Sequence, residues 1–538
     1  MAIQHHKRLS MDLLLPTGFG LERLKSDRNA RSSVETELEP FAQPRSQPRP
    51  RKGAASPDLL DAAEQQRQVL QGLRIDGQSV RLTLTATGLE WARAASSAAA
   101  AVEAVPFSEM LSAECCDEPP GLLTCLRART HQLQVLTFRR AAGRPCEWFP
   151  RKLLIEAVDE ETVQDLCAAI SRGIEGASAG RPRSLLVLLN PNSGHRQGRC
   201  VWCRLAAPVF AAAGIKARVW ETRRPGHACE LVAGLTAQQL QGVDGIVCVG
   251  GDGVFHEALN GLMAARGAAA AAGDAELAAL LGALRLAHIP AGSTDAVACT
   301  LHGTRRAFTA ALHVALGDST PLDVLRVDTP QGAKFASCIA AYGFLADVTS
   351  EAEQWRWMGP MRYDIVGAAK LAVSRAYPAR IRYLEGEVAR TLSKHSHTVC
   401  TSDCRIQGEF CSIMLIVMPC RSDKTRSGMA RFGHLADGRL KLVLVRKCSP
   451  LQYLRFLHGM SRRGCSPGQL PYVTVLDAVA VEVTPLGSSS SGGDGGGGST
   501  GRPVSCWNLD GELVAGPGIQ AEVHPGLVRV FSRGVEQA

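Results

Sequence analysis

Near the N-terminal end of the chain, apolar and polar positions alternate. Residues 80–84 show this pattern clearly, and similar short runs follow as far as residue 138. Strict alternation is typical of strands that bury one face. At 160–174 the apolar spacing becomes that of a helix. The pattern therefore predicts a small β-rich module, closed by one helix, over residues 75–178.

The chain before this module lacks any such pattern. Residues 1–70 are polar and rich in Arg, Pro and Ser. A segment with so few apolar residues buries too little surface to offset the entropy lost on ordering. We therefore expect a disordered tail over residues 1–70.

Between residues 182 and 325, apolar runs of strand length alternate with helical stretches. The runs at 185–189, 246–249 and 286–289 are continuous, as in strands that are buried on both faces. Strands that alternate with helices predict a parallel sheet with helices on both sides. In such a sheet the ligand lies beyond the carboxyl ends of the strands.

The run at 246–249 leads directly into a glycine turn of Gly250, Gly251, Asp252 and Gly253, and a helical pattern starts at Val254. A helix N-terminus offers free N–H groups and a positive dipole end to phosphate, and glycines let a ligand approach the backbone. A phosphate cradle has no need of a carboxylate, so Asp252 indicates proton or metal handling. A tight turn whose aspartate caps the next helix is the alternative, and the turn alone does not separate the two.

Three further polar turns follow strands of the same predicted sheet. The run at 185–189 is followed by Asn190, Pro191, Asn192, Ser193 and Gly194, and the run at 286–289 is followed by residues 290–295. A further strand-like run ends at residues 219–222 with Thr222. The carboxyl ends of parallel strands meet at one edge, so we expect all four turns to lie together. Four turns of small residues at one edge predict a nucleotide site.

After residue 325 the pattern becomes that of β-structure. Apolar runs joined by long polar stretches predict an antiparallel β-sandwich lobe over residues 326–538. A Gly/Ser run at 487–501 predicts a flexible loop within it. Asp510, Gly511 and Glu512 follow a tryptophan near the end of this lobe. The two acids fit an ordinary hairpin turn and a metal or proton role equally well.

Composition limits the classes of function. The 538 residues suffice for about three domains, and no apolar run reaches the roughly 18 residues of a membrane span. The start of the chain is basic rather than apolar, so we expect no secretory signal, and the 18 scattered cysteines then fit reduced thiols in the cytoplasm. The net charge of +9 is spread without dense basic blocks, which argues against a nucleic-acid partner. It favours attraction to anionic membrane surfaces.

Taken together, these motifs resemble the catalytic domain of the diacylglycerol kinase superfamily, which includes sphingosine kinases and ceramide kinase. The resemblance rests on the glycine turn with Glu257, on the turns that contain Asn190 and Gly292, and on Asp510 to Glu512. Residues 289–295, 356–359 and 507–508 narrow it to the ceramide kinase branch. It implies an N-terminal pleckstrin-homology-like β-barrel, then a two-lobed lipid kinase with a parallel α/β nucleotide lobe and an antiparallel β-sandwich lobe.

The resemblance implies ATP-dependent phosphorylation of a lipid primary hydroxyl. Asp252 matches the catalytic acid/base, and Gly251, Asp252, Gly253 and Asp347 match positions at the lipid substrate. The residues that match positions at ATP are Asn190, Pro191, Asn192, Ser193, Gly194, Thr222, Gly250, Gly251, Gly253, Glu257, Gly292, Ser293, Thr294, Arg356, Arg362, Asp510, Gly511 and Glu512. Mg²⁺ is expected to arrive with ATP, and Asp510 and Glu512 are its candidate protein ligands.

The lipid that the resemblance implies is ceramide or a related sphingolipid. Sphingosine kinases carry an acidic residue two positions after the aspartate that matches Asp347, and this chain has Thr349 there. A cationic amine would lose its partner, which favours a neutral acylated lipid. We expect a cytoplasmic protein, peripherally associated with Golgi, endoplasmic reticulum or plasma membranes.

The cysteine spacing of the second lobe departs from that of ceramide kinases. Cys400, Cys404 and Cys411 are spaced more loosely than the cysteine cluster of those enzymes. Two alternatives therefore stay open. One is a ceramide kinase-like protein of the same fold with little or no ceramide kinase activity, and the other is a kinase for another lipid such as diacylglycerol.

Overall fold

The computed structural model describes residues 68–94, 102–116, 130–359, 361–388, 399–431, 433–465, 470–486, 504–514, 516 and 518–535. The Gly/Ser loop expected at 487–501 and the expected tail up to residue 67 lie outside them. Residues 68–70, also expected in the tail, instead begin the first strand, because Val69 and Leu70 pair with Thr83 and Leu82. In the described part of the chain, no helix combines the length and hydropathy needed to cross a bilayer.

An N-terminal module consists of a seven-stranded antiparallel sheet and one helix. The strands are β1 (Gln68–Ile75), β2 (Gln78–Leu84), β3 (Gly88–Arg93), β4 (Glu103–Pro106), β5 (Ser112–Cys116), β6 (His131–Ala141) and β7 (Arg144–Ala157), in the order β4-β3-β2-β1-β7-β6-β5. Helix α1 (Glu160–Gly176) begins after Asp159, whose carboxylate accepts the Thr162 N–H. Its buried stripe packs on the sheet. These elements agree with a β-rich module closed by one helix, and its pleckstrin-homology type stays a prediction.

The α/β lobe is built on four parallel strands. They are β8 (Ser184–Leu189), β9 (Lys216–Glu221), β10 (Gly245–Gly250) and β11 (Arg285–Pro290), in the order β9-β8-β10-β11. The helices between and after them are α2 (Ser193–Arg196), α3 (Gly198–Val201), α4 (Ala207–Ala212), α5 (His227–Ala233), α6 (Ala237–Leu240), α7 (Asp252–Ala272), α8 (Ala275–Ala283), α9 (Ala296–His302) and α10 (Ala307–Leu316). They cover both faces of the sheet, which therefore packs against two apolar cores. All four carboxyl ends lie at one edge, as the sequence predicts.

The second lobe continues the same sheet with antiparallel strands. These are β12 (Ser319–Thr329), β13 (Gly332–Ala336), β14 (Ile339–Gly343), β15 (Tyr377–Val388), β16 (Val399–Ile416), β17 (Leu440–Arg446), β18 (Val473–Ala478), β19 (Ala480–Pro485), β20 (Trp507–Leu509), β21 (Glu512–Val514) and β22 (Ile519–Phe531). Their inward side chains form one core that includes Tyr342, Ile413 and Trp507.

Two features of this lobe differ from the predicted antiparallel sandwich. The sheet is not separate, because β22 pairs with β12 and β19 and also, in parallel, with β11 of the α/β lobe. In addition, three helices lie where polar loops were expected: α11 (Phe344–Ala352), α12 (Met361–Val373) and α13 (Pro450–Arg463). In α13, Tyr453, Phe456 and Met460 are buried at helical spacing, and Ser449 caps the first turn. Arginines lie between the apolar residues of α13, so the sequence analysis did not recognise their helical spacing.

The N-terminal module packs directly on the α/β lobe. Trp148 of β7 is completely buried, stacks on Phe138 with ring centroids 4.0 Å apart, and meets His313 of α10 edge-on. Its backbone N–H donates to Thr309 Oγ1 of α10 over 3.0 Å. These module side chains share one apolar core with strands β8, β10 and β11. The module is therefore joined to the kinase lobes by packing as well as by the chain.

Candidate active site

The four predicted turns meet at the carboxyl edge of the parallel strands. The Ala291 N–H donates to the Gly250 carbonyl, and the Thr222 N–H to the Leu189 carbonyl, each over 2.8 Å. The turns therefore continue the pairing of the strands that they follow. The turn residues that are exposed to an incoming ligand are Asn192, Gly194, Gly253, Ser293 and Thr294.

Three of these turns approach one another so closely that only glycine fits at the points of contact. A Cβ atom at Gly292 would lie 2.6 Å from the Gly251 Cα, and one at Gly194 would lie 2.6 Å from the Ala291 oxygen. Gly194 also has a φ of 56°, which L side chains rarely adopt. The glycines thus bring the backbone N–H groups of separate turns together over one small area.

Asp252 begins helix α7, yet its carboxylate binds another helix. Oδ2 accepts the Ala296 N–H and Oδ1 accepts the Val297 N–H, each over 2.9 Å, at the start of α9. The side chain keeps 21% of its surface exposed. Burial raises the pKa of this carboxyl above its ordinary value, although His288 and the two N–H groups act in the opposite direction. Each carboxylate oxygen retains one further lone pair for another partner.

Arg305 holds the turn after β11, and the sequence analysis did not single it out. Its guanidinium donates to Asp295 Oδ2 over 3.1 Å, to the Gly292 carbonyl over 2.9 Å and to Asp423 over 2.8 Å. Asp295 is buried, and its Oδ1 accepts the Gly292 N–H over 2.9 Å. The turn is therefore fixed from both sides. No local motif reveals Arg305, because two of these partners lie in a different turn and one in the second lobe.

Asp510 occupies the turn between β20 and β21 and is a structural anchor. Its carboxylate accepts the N–H groups of Ser337, Cys338 and Ile339 over 2.7, 3.0 and 2.8 Å. The side chain is 3% exposed. Burial alone would raise its pKa, but hydrogen bonds from His256 and these N–H groups hold it below the ordinary value. The Asp510 oxygens are thus buried and already bonded, and Asp510 as a candidate magnesium ligand stays a prediction.

His256 joins the acidic hairpin to the glycine turn. It lies four residues after Asp252 on α7, with Nδ1 3.4 Å from Asp510 Oδ2 and Nε2 3.5 Å from Glu512 Oε2. Glu512 is 48% exposed, so it remains open to solvent at the edge of the site. The sequence analysis missed His256, although its helical spacing from Asp252 was a readable signal.

Glu257, predicted to contact ATP, is bonded to the protein backbone. Its Oε2 accepts the Ala228 N–H at the start of α5 over 3.0 Å. In the acidic hairpin, the Gly511 N–H donates to Asn508 Oδ1 over 2.7 Å. Both residues thus order elements that border the glycine turn.

Asp347, predicted at the lipid substrate, and Thr349 both lie on α11. Asp347 accepts hydrogen bonds from the Tyr377 hydroxyl and the Ser505 hydroxyl. Thr349 accepts a hydrogen bond from Asn508 Nδ2 over 2.8 Å, next to the acidic hairpin. The helix that carries both residues is therefore attached to the strand that leads into Asp510.

The two predicted phosphate-binding arginines lie beyond α11. Arg356 is in the 3-10 helix Glu353–Met358, and Arg362 is in the first turn of α12. The Arg362 guanidinium lies 3.8 Å from Glu353 and over the Tyr363 ring. Asp364 of α12 in turn pairs with Lys424 over 3.2 Å. Lys424 follows Asp423, a partner of Arg305, so a short series of ion pairs connects α12 to the turn after β11.

Comparison with known proteins identifies the family. A model of the diacylglycerol kinase catalytic domain matches residues 184–327, and a model of the ceramide kinase C-terminal domain matches residues 338–538. Ceramide kinase of Mus musculus is 30% identical over 418 residues, which cover 68% of this chain and 77% of the relative. The chain belongs to the ceramide kinase family. Ceramide kinase of Arabidopsis thaliana is 27% identical over 76% of this chain and 82% of its own length. Ceramide kinase-like protein of Homo sapiens is 27% identical over 70% and 74%.

Membership of the ceramide kinase family confirms the resemblance read from the motifs. The chain is a lipid kinase, and hence a phosphotransferase, for which ATP is the phosphate donor. Among the described residues, no three His, Cys, Asp or Glu side chains converge as a metal site. Asp510 is bonded to the backbone, and Glu512 lies beside His256. Magnesium as an ion that arrives with ATP stays a prediction.

Proposed function

We propose that this chain transfers the γ-phosphoryl group of ATP to the primary hydroxyl of ceramide, which gives ceramide 1-phosphate. The diacylglycerol kinase catalytic and ceramide kinase C-terminal family models match residues of both kinase lobes. The observation that carries the proposal is Asp252, a carboxylate anchored by two N–H groups where four small-residue turns meet. The ceramide kinase-like alternative is less favoured, because the chain keeps both this carboxylate and an ordered acidic hairpin.

The proposed mechanism depends mainly on positioning and charge. Phosphoryl transfer involves little covalent chemistry by the protein, so N–H groups and cations aimed at the phosphates account for most of the acceleration. The turns at 190–194, 250–253 and 292–294 supply such N–H groups, and Arg356 and Arg362 supply charge. Asp252 accepts the hydroxyl proton as the oxygen attacks phosphorus. A group that takes a proton at neutral pH benefits from the raised pKa of this carboxyl.

The preference for ceramide rests on α11. A sphingosine amine is cationic and needs an acidic partner, whereas the ceramide amide is neutral. Thr349 is uncharged and already bonded to Asn508. This helix carries two acidic residues: Glu351 pairs with Lys370, and Asp347 accepts hydrogen bonds from two hydroxyls. Such an arrangement suits hydrogen bonding to a neutral head group better than pairing with an amine.

Labelled ATP offered with ceramide, sphingosine and diacylglycerol in mixed micelles tests the function. We expect ceramide to be phosphorylated and the Asp252→Asn variant to lose about 10²–10⁴-fold in kcat, as removal of an acid/base group does. His313→Gln, a buried substitution in α10, is the matched control. Phosphorylation of only sphingosine or diacylglycerol would overturn the substrate assignment. Activity toward none of the three lipids would favour the ceramide kinase-like alternative.

We further propose that the kinase works at a membrane surface and meets it through α12 and α13. The exposed positions of α12 are apolar all along one face: Met361, Ile365, Ala368, Ala369, Ala372 and Val373. Trp357, just before this helix, is 79% exposed. The outward residues of the adjacent α13 are mostly basic: Arg455, His458, Arg462 and Arg463. An apolar face beside a basic face suits an anionic bilayer.

Sedimentation with anionic and neutral vesicles tests this surface. We expect Met361→Ser combined with Ile365→Ser to weaken partitioning by at least about tenfold, since each aliphatic side chain gains roughly 1.5 kcal/mol or more on burial. Val219→Ser, at a 38% exposed position on β9, is the matched control. Unchanged partitioning of the double variant would contradict this assignment and would favour the N-terminal module as the membrane-binding element. Deletion of residues 1–178 is a poor test, because it also removes Trp148 from the core of the α/β lobe.

A further inference from the structure

An arginine next to the proposed base joins the two lobes. Arg305 follows α9 in the α/β lobe, and its guanidinium donates to Asp295 Oδ2 over 3.1 Å and to Asp423 Oδ2 of the second lobe over 2.8 Å. It also donates to the Gly292 carbonyl over 2.9 Å. One side chain therefore connects the turn after β11, the start of α9 and the second lobe.

Asp295 adopts a backbone conformation that few side chains adopt. It is buried, and its φ of 51° lies in the left-handed region. Aspartate tolerates this region better than most residues do, but the conformation still costs free energy. Its carboxylate is bonded on both sides, because Oδ1 accepts the Gly292 N–H and Oδ2 accepts Arg305. These bonds stabilise a conformation that is unfavourable by itself.

The conformation of Asp295 directs the next two N–H groups toward Asp252. Ala296 and Val297 follow Asp295 directly, and both donate to the Asp252 carboxylate over 2.9 Å. The orientation of a peptide N–H depends on the dihedral angles of the residue before it. A change at Asp295 would therefore turn these donors away, so the contacts lead from Arg305 through Asp295 to the proposed base.

The second lobe reaches this region with the segment that follows β16. Asp423 binds Arg305, and the Arg421 N–H donates to Thr300 Oγ1 of α9 over 2.9 Å. Strand β16 pairs with β14, which leads into α11. The Asp423 side chain is 52% exposed, so water can solvate its carboxylate and the ion pair can open without leaving that charge buried.

We propose that Arg305 is a positioning residue, because it keeps Asp295 in the conformation that aims two N–H groups of α9 at Asp252. Asp423 makes this arrangement depend on contact between the lobes, so the base is ordered when the second lobe lies against α9. The inference rests on the proposed function, in which Asp252 accepts the proton of the substrate hydroxyl.

Direct binding of phosphate by Arg305 is the alternative role. Its guanidinium makes four hydrogen bonds to Asp295, Gly292 and Asp423. These bonds use all but one of its N–H groups, so no pair of donors is left for a bidentate phosphate contact. The geometry therefore favours a role that acts through Asp295.

Steady-state kinetics of Arg305→Met and Asp423→Asn test the proposal. We expect Arg305→Met to lower kcat by about 10- to 100-fold, as misdirected hydrogen bonds to a charged group do. The KM for ATP should change less, because the Gly292 N–H keeps its bond to Asp295. Asp423→Asn should cause a smaller loss of kcat, and no further loss in the Arg305→Met background, because it acts through Arg305. Arg305→Lys keeps the charge but not the planar fork, so it should recover part of the loss.

The matched control is the neighbouring arginine. Arg306 lies 3.6 Å from Glu147 and over the Phe149 ring, so it faces the N-terminal module. Arg306→Met should therefore leave kcat unchanged. A loss of kcat in Arg306→Met as large as that in Arg305→Met, or a loss in Arg305→Met that is confined to the KM for ATP, would overturn the proposal.

The acidic limb of the pH–rate profile separates positioning from a purely structural role. Burial and Asp295 raise the pKa of Asp252, whereas His288 of β11 and the two N–H groups of α9 lower it. If the N–H groups turn away, this pKa should rise. A base with a higher pKa is protonated up to a higher pH, so the acidic limb should move to higher pH in Arg305→Met. A limb that stays in place would contradict the proposal.

Hydrogen exchange of the full chain gives a measurement that does not need activity. In mass spectrometry, peptides that cover residues 292–302 should exchange faster in Asp423→Asn than in the wild type, because the start of α9 is held less firmly. Peptides that cover α10 should exchange alike in both proteins. Unchanged exchange at 292–302 would also overturn the proposal. Faster exchange there, in a protein that phosphorylates no lipid, would refute the proposed function and still support the contact through Arg305.

Discussion

Removal of the His256 imidazole should weaken the contact between α7 and the acidic hairpin in a pH-dependent way. His256 is 3% exposed and lies between Asp510 and Glu512. Burial lowers the pKa of a histidine, but hydrogen bonds to these two carboxylates outweigh that effect and raise the pKa of His256 from 6.5 to about 9. Each pKa unit corresponds to about 1.4 kcal/mol, so protonation of His256 contributes about 3 kcal/mol to the folded state.

The direction of the pH dependence follows from the raised pKa of His256. The stabilisation is complete below the unfolded-state pKa of 6.5 and is lost as the pH rises through about 9. His256→Gln keeps a polar side chain but cannot carry charge, so it leaves two carboxylates without their cation. The variant should be destabilised most at low pH and should approach the wild type at high pH.

Thermal unfolding of the wild type and of His256→Gln between about pH 6 and pH 10 measures this difference. Other groups that titrate in the range cancel between the two proteins. The difference in unfolding midpoint between the wild type and His256→Gln should be largest near pH 6 and should disappear above pH 9. For His313→Gln the gap should stay flat, because burial lowers the pKa of His313 to about 3 and keeps it neutral. If the midpoint difference between the wild type and His256→Gln does not change with pH, the His256 imidazole of the wild type is neutral, and the reasoning is refuted.

Two further substitutions test the packing around the site. Gly292→Ala places a Cβ atom 2.6 Å from the neighbouring glycine turn. We therefore expect the KM for ATP to rise about tenfold or more in steady-state assays. In the control Gly282→Ala the added Cβ atom meets open space, so the KM for ATP should stay unchanged. Trp148→Ala leaves a cavity at a completely buried position between the N-terminal module and the α/β lobe. It should lower the free energy of unfolding by about 3–5 kcal/mol. It should also expose the junction between the two parts to limited proteolysis. An unchanged cleavage pattern would contradict the shared core.

Much of the α/β lobe could be predicted from local sequence. Continuous apolar runs specify buried parallel strands, because such strands are covered on both faces and have no polar side to present. The glycine turns could be placed at one edge for a related reason, since parallel pairing brings all carboxyl ends together. The second lobe was harder. The apolar residues of α13 are interleaved with arginines, and the shared sheet depends on β22 returning to β11 from more than 200 residues away.

The sequence by itself determined which chemical groups are available to the proposed phosphate site: glycine N–H groups, the Asp252 carboxylate and the acidic pair at 510 and 512. Only the tertiary structure decided what each carboxylate does. Asp510 binds backbone N–H groups of Ser337 to Ile339, Glu512 stays exposed, and Asp252 faces His288. The physical reason is that ionisation and hydrogen bonding depend on burial and on partners within a few ångströms, and folding brings those partners from distant segments of the chain.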